Sequence, residues 1–183
     1  HCMRRDGARP GDLIYVSGTL GDAAMGLRIW QQGQVADRNA AWLIDRLKRP
    51  QPRVDLGIEL AAYCKCAIDI SDGLVADLGH VLAASQCGAT VYTEQIPLSH
   101  QLVEHAVNKD AVDWELVLTG GDDYELCLVV TAAHESKLLH VASELALPLT
   151  RIGIIEQQQS LSIIDRAGTK LLLDHPGYEH FST

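Results

Sequence analysis

The segment Ala67-Ile68-Asp69-Ile70-Ser71-Asp72-Gly73-Leu74 constrains the fold more than any other stretch of this chain. Its apolar opening reads as a buried strand, and the spacing from Asp72 to Ser85 reads as a long amphipathic helix. Strand passes to helix through a few polar residues, which fits helices packed on a sheet. Further strand-like runs are Leu13 to Ser17, Ala89 to Thr93, Leu149 to Ile155 and Leu161 to Ile164. Helical spacing recurs over Gly21 to Gln32, Arg38 to Lys48, Val54 to Cys66, Ser99 to Val107 and Ala132 to Leu145. Pro50 and Pro52 forbid continuation of the second of these helices. Trp114 to Leu118 and Tyr124 to Val130, flanking a Gly-Gly turn, predict a hairpin. The irregular alternation favours an α+β fold with a mixed sheet over a doubly wound parallel one.

Hydrophobic residues make up 47% of the 183, which excludes a disordered or low-complexity polymer and suits one domain with a sizeable core. Fifteen Lys and Arg against 24 Asp and Glu leave a net charge of -9. Such a surface argues against nucleic acid and anionic membranes, whose binding needs clustered cations, and suits divalent metals with the ligands that carry them. No apolar run approaches the roughly 20 residues of a transmembrane helix, and no signal-peptide pattern opens the chain. The five cysteines match no paired zinc spacing and read as reduced thiols of a cytoplasmic protein. The start at His1-Cys2-Met3, with a strand close behind, predicts a domain cut from a longer protein.

Three segments could carry chemistry. In the first, Ser71 stands where a helix cap belongs and Asp72 favours the helix's positive end, which leaves Asp69 unexplained. Two carboxylates so close repel unless a cation lies between them, and Mg²⁺ arriving with phosphates resolves the conflict. Metal-phosphate binding and simple capping both remain open on the residues alone. In the second, Thr119-Gly120-Gly121-Asp122-Asp123-Tyr124-Glu125-Leu126, the glycines suit a tight turn. Three acidic residues in four positions exceed what a turn requires. The third, Gly18-Thr19-Leu20-Gly21-Asp22, lacks a Walker lysine and carries an anion-repelling Asp22, so it reads as a structural turn. An Asp-x-Asp phosphatase of the haloacid-dehalogenase type is disfavoured, because Asp69 and Asp72 stand three positions apart.

Together these segments resemble thiamine-monophosphate kinase. The match is carried by Val16 to Asp22, Ala67 to Leu74, Thr119 to Leu126 and the closing Gly177-Tyr178-Glu179-His180-Phe181, in the family's order. The wider superfamily includes aminoimidazole ribonucleotide synthetase, and the resemblance implies an α+β fold like that enzyme's C-terminal domain. It implies that residues 1–183 form a single C-terminal domain whose partner, an N-terminal ATP- and Mg²⁺-binding domain, lies outside this chain and forms the homodimer contact. By the same resemblance Asp69 and Asp72 would ligate Mg²⁺, Ser71 would contact ATP, and Asp122 and Tyr178 would contact thiamine monophosphate. The family often has Glu where Asp122 stands. The implied reaction moves the γ-phosphoryl group of ATP onto thiamine monophosphate, without a covalent enzyme nucleophile. The isolated chain would be inactive. The alternatives are a lid or ligand-binding module, or another ATP-dependent member of the superfamily.

Overall fold

A computed structural model describes residues 2–33, 37–64, 66–106 and 112–173. The strands are β1 (Leu13–Ser17), β2 (Cys66–Ile70), β3 (Gly88–Tyr92), β4 (Glu125–Val130), β5 (Leu149–Glu156) and β6 (Leu161–Ile164). The helices are α1 (Asp22–Gln31), α2 (Arg38–Lys48), α3 (Val54–Leu60), α4 (Leu74–Ser85), α5 (His100–His105), α6 (Trp114–Thr119) and α7 (Glu135–Glu144). The strands form one sheet in the order β2-β4-β1-β5-β3-β6. Neighbours run antiparallel except β3 and β6, so the sheet is mixed and the α+β expectation holds.

Alternation along the central strands explains why β1 is buried at every position. Ile14 and Val16 face a large core with Ile68, Ile70, Cys127 and Val129, to which α1, α2, α4, α5 and α6 contribute. Leu13 and Tyr15 face a second, smaller core with Leu128 and Val130, closed by α3 and α7. The register that sets these faces pairs Leu13 with Val130 on one side and with Ile154 on the other. Each fully buried Leu or Ile contributes about 1.5–3 kcal/mol.

Two sequence expectations fail here. Trp114 to Leu118 is not the first arm of a hairpin but the helix α6. The Asp113 side chain caps it, accepting from the amide of Leu116 at 3.0 Å. A short apolar run fits either period, and the preceding cap decides it here. β4 instead pairs with β1 and β2. The helix beginning at Val54 stops at Leu60, where the amides of Tyr63 and Cys64 close a turn on the Leu60 carbonyl. Cys66, read as its last residue, pairs with Val129 in the sheet.

All five cysteines are free thiols, with Cys2 exposed and the other four buried. Burial pushes the thiol of Cys64 up to about 11 and that of Cys66 up to about 12, and raises Cys87 and Cys127 as well. A thiol-disulfide reagent acts on the thiolate. At pH 8 the native chain should therefore release one equivalent quickly, and four more only after denaturant is added. Several fast equivalents in the native state would contradict this burial.

Candidate functional site

β2 ends at Ile70 and α4 begins at Leu74, so three residues make the turn between them. Ser71 does not cap the helix. The cap position belongs to Gly73, at φ 107, and no side chain caps it. A Cβ at Gly73 would lie 2.7 Å from the carbonyl of Thr119, so only glycine allows this approach. The turn is held from within the helix, by Asp77. One oxygen of this buried carboxylate accepts the amides of Ser71 at 2.9 Å and Asp72 at 3.0 Å. Burial raises the Asp77 carboxyl above the usual range; the two amides oppose that shift, while the charges of Asp72 and Asp69 add to it.

The opposite lip is the turn after α6. Gly121 lies so close to the first lip that a Cβ there would meet the Ser71 carbonyl oxygen at 2.3 Å. The amide of Asp122 donates to that same oxygen at 2.9 Å, and the amide of Tyr124 donates to the Ile70 carbonyl at 2.8 Å. The three acidic residues of this segment go to different places. Asp122 is exposed, whereas Asp123 and Glu125 are buried. Asp123 accepts the amides of Gly21 at 2.8 Å and Ala23 at 3.4 Å. Burial pushes its carboxyl up to about 8, against the pull of the Gly21 amide.

Glu125 anchors an internal ion cluster. It takes Arg53 at 2.7 and 2.6 Å, Arg46 at 3.0 Å and the hydroxyl of Ser17 at 2.6 Å. Asp22 completes the cluster, accepting from Thr19 at 2.6 Å and Ser99 at 2.5 Å, with Arg46 at 3.8 Å. The Gly18-to-Asp22 turn is thus structural, as expected. Arg46 and Arg53 escaped the sequence reading because Glu125 lies 79 and 72 positions away. No local pattern reports a pairing at that distance.

Between the lips and α1 lies an open cleft of about 690 Å³. Ser71, Asp72 and Asp122 all line it. Asp69 does not: it is exposed on β2, two positions from Ala67 and on the same face of the sheet. Tyr178 lies outside the described residues. Ala23, Ala24, Leu27 and Leu47 give the cleft an apolar wall. Its charged lining comprises Asp72, Asp113, Glu115 and Asp122 against Arg28, which is already bound to Asp113 at 2.8 Å. Such a lining favours a cationic organic ligand, and accepts phosphates only in company with a metal. The hard oxygens of Asp72 suit Mg²⁺, which commonly takes one or two carboxylates and fills its sphere with phosphates and water. Among the described residues no group of three His, Cys, Asp or Glu side chains could hold a metal by itself. No helix among them is long and apolar enough to cross a membrane.

Comparison with known proteins identifies the family and the fold. The chain is 43% identical to thiamine-monophosphate kinase of Escherichia coli (strain K12), over 99% of its own length and 56% of that protein's. It thus spans little more than half of the curated relatives it matches. In structure it is similar to thiamine-monophosphate kinase from Stenotrophomonas maltophilia K279a. That match has a TM-score of 0.82 and 47% identity, covering 88% of this chain and 52% of that one. It is also similar to AaThiL complexed with AMPPCP and TMP, with a TM-score of 0.80 and 31% identity over 98% of this chain and 54% of that one. The family model described as AIR synthase related protein, C-terminal domain, matches residues 9–166, and the chain belongs to that family.

Proposed function

We propose that this chain is the C-terminal domain of a thiamine-monophosphate kinase, contributing the substrate-facing wall of a site that phosphorylates thiamine monophosphate from ATP. The observation that carries the reading is the meeting of Ser71, Asp72 and Asp122 on one acidic cleft with an apolar wall. The similarity to thiamine-monophosphate kinases over almost the whole chain supports it. In this reading Ser71 contacts ATP, and Asp72 helps hold Mg²⁺ at the cleft. Asp69, outside the cleft on β2 but with its charge felt by the same Asp77 carboxyl, is the second carboxylate toward that ion. When bound, Mg²⁺ would screen the two anionic reactants and draw off charge developing on the bridging oxygens. Asp122 faces the cationic thiazolium, and the apolar wall excludes water from the organic rings. Tyr178 joins the same substrate contact. The remaining metal ligands and the homodimer contact belong to an N-terminal domain, and the reaction runs in the cytoplasm.

Substitution of Asp122 separates the two substrates. A partly exposed carboxylate facing a cation is worth about 1 kcal/mol. In the longer kinase, Asp122→Ala should therefore raise KM for thiamine monophosphate roughly fivefold and leave KM for ATP unchanged. Steady-state kinetics with each substrate varied in turn measures both. A rise confined to ATP would mean that Asp122 belongs to the nucleotide pocket.

A further inference from the structure

Asp123 does not itself line the cleft, yet it sits between the two walls that form it. It is 2% exposed, and its oxygens accept the amides of Gly21 and Ala23 at the start of α1. Gly21 occupies the cap position of that helix and brings no side chain, so Asp123 supplies the cap from a residue 102 positions away. The backbone on either side is unusual. Asp122 at φ 68 and Tyr124 at φ 51 are both left-handed, a region that a non-glycine residue keeps only when its surroundings fix it. Asp122 stands exposed at the cleft while Asp123 is sealed inside. The Asp122 and Tyr124 amides bind this turn to the end of β2, and Asp123 ties the same turn to α1, whose Ala23, Ala24 and Leu27 form the apolar wall.

We infer that Asp123 is a positioning residue: by tying the 120–122 turn to the first turn of α1, it sets the distance between the Asp122 carboxylate and the apolar wall. That distance determines how well an organic cation fits between them. The inference rests on the kinase reading above and adds a residue that never meets the substrate.

The test uses six forms of the longer kinase: unaltered, Asp122→Ala, Asp123→Asn, Asp123→Ala, and Asp122→Ala combined with each of the two Asp123 changes. Asp123→Ala should raise KM for thiamine monophosphate about threefold to fivefold, no more than Asp122→Ala does, and change KM for ATP by less than about twofold. Asp123→Asn keeps an acceptor oxygen and should show a smaller rise in the same direction. In the Asp122→Ala background, Asp123→Ala should add less than about twofold, because the group it positions is gone. Equal rises for both substrates, fully additive effects, or wild-type constants in every Asp123 variant would each overturn the assignment. If Asp123→Ala does not fold, Asp123→Asn alone and combined with Asp122→Ala carries the same comparison. An unaltered protein that does not phosphorylate thiamine monophosphate would overturn the kinase reading, and this inference with it.

Discussion

Asp72→Asn should lower kcat of the proposed kinase by at least about a hundredfold, the cost typical of removing one preorganised electrostatic contact to a reacting phosphoryl group. The loop should survive the change. Its shape comes from the amides of Ser71 and Asp72 bound to Asp77, and the substitution touches neither bond. Removing one negative charge near Asp77 also relieves repulsion, so stability should hold or rise. The loss should appear in kcat and in a higher Mg²⁺ requirement. Turnover measured across a magnesium titration, beside a thermal melt, separates the two effects. Asp69→Asn tests the second carboxylate in the same way. Wild-type turnover of both variants at limiting magnesium would reduce these aspartates to residues of a helix entrance.

The largest effect on stability is expected at Glu125. Its carboxylate is fully buried and pairs with both Arg46 and Arg53, whose side chains are 13% and 16% exposed. Glu125→Ala would take from Arg53 the carboxylate it pairs with and leave Arg46 only the more distant Asp22 at 3.8 Å, in a poorly hydrated space. Breaking a buried pair from one side costs about 3–5 kcal/mol, far more than the net worth of the intact pair. For a domain of this size that corresponds to a fall in melting temperature of roughly 10 °C. Glu125→Gln keeps an acceptor for Ser17 and should fall between the two. Denaturant unfolding of the three forms decides the matter, and a change below about 1 kcal/mol for Glu125→Ala would show that water reaches the arginines.

The sequence carried the elements whose signals are local. A short apolar run marks β1, Pro50 stops α2 just beyond Lys48, and helical spacing marks α5 from Ser99 onward. The same holds for Ser71, Asp72 and Asp122, which stand in short motifs beside glycines. Illegible were the parts that depend on distant partners. The apolar run of α6 matched a strand as well as a helix, and only the cap at Asp113 distinguishes them. Asp77 and Asp123 look like surface acids in a sequence, since nothing nearby tells that each will bind two main-chain amides. Ser71 looks like a cap in the sequence, but Gly73 takes the cap position and Asp77, in the first turn of α4, binds the turn's amides.

The placement of β1 bears on how the chain is made. The strand lies between β4 and β5, so Leu13 pairs with Val130 and Ile154, both more than a hundred residues downstream. A ribosome adding about 5–20 residues per second needs roughly 6 to 28 seconds to deliver those partners. Through that interval an apolar strand, first of the sheet to emerge, has neither edge covered and no opposing layer complete. An apolar strand exposed in this way is the kind of surface that needs protection from aggregation during synthesis. The domain closes late and nearly at once, because the arrival of β5 completes the centre of the sheet.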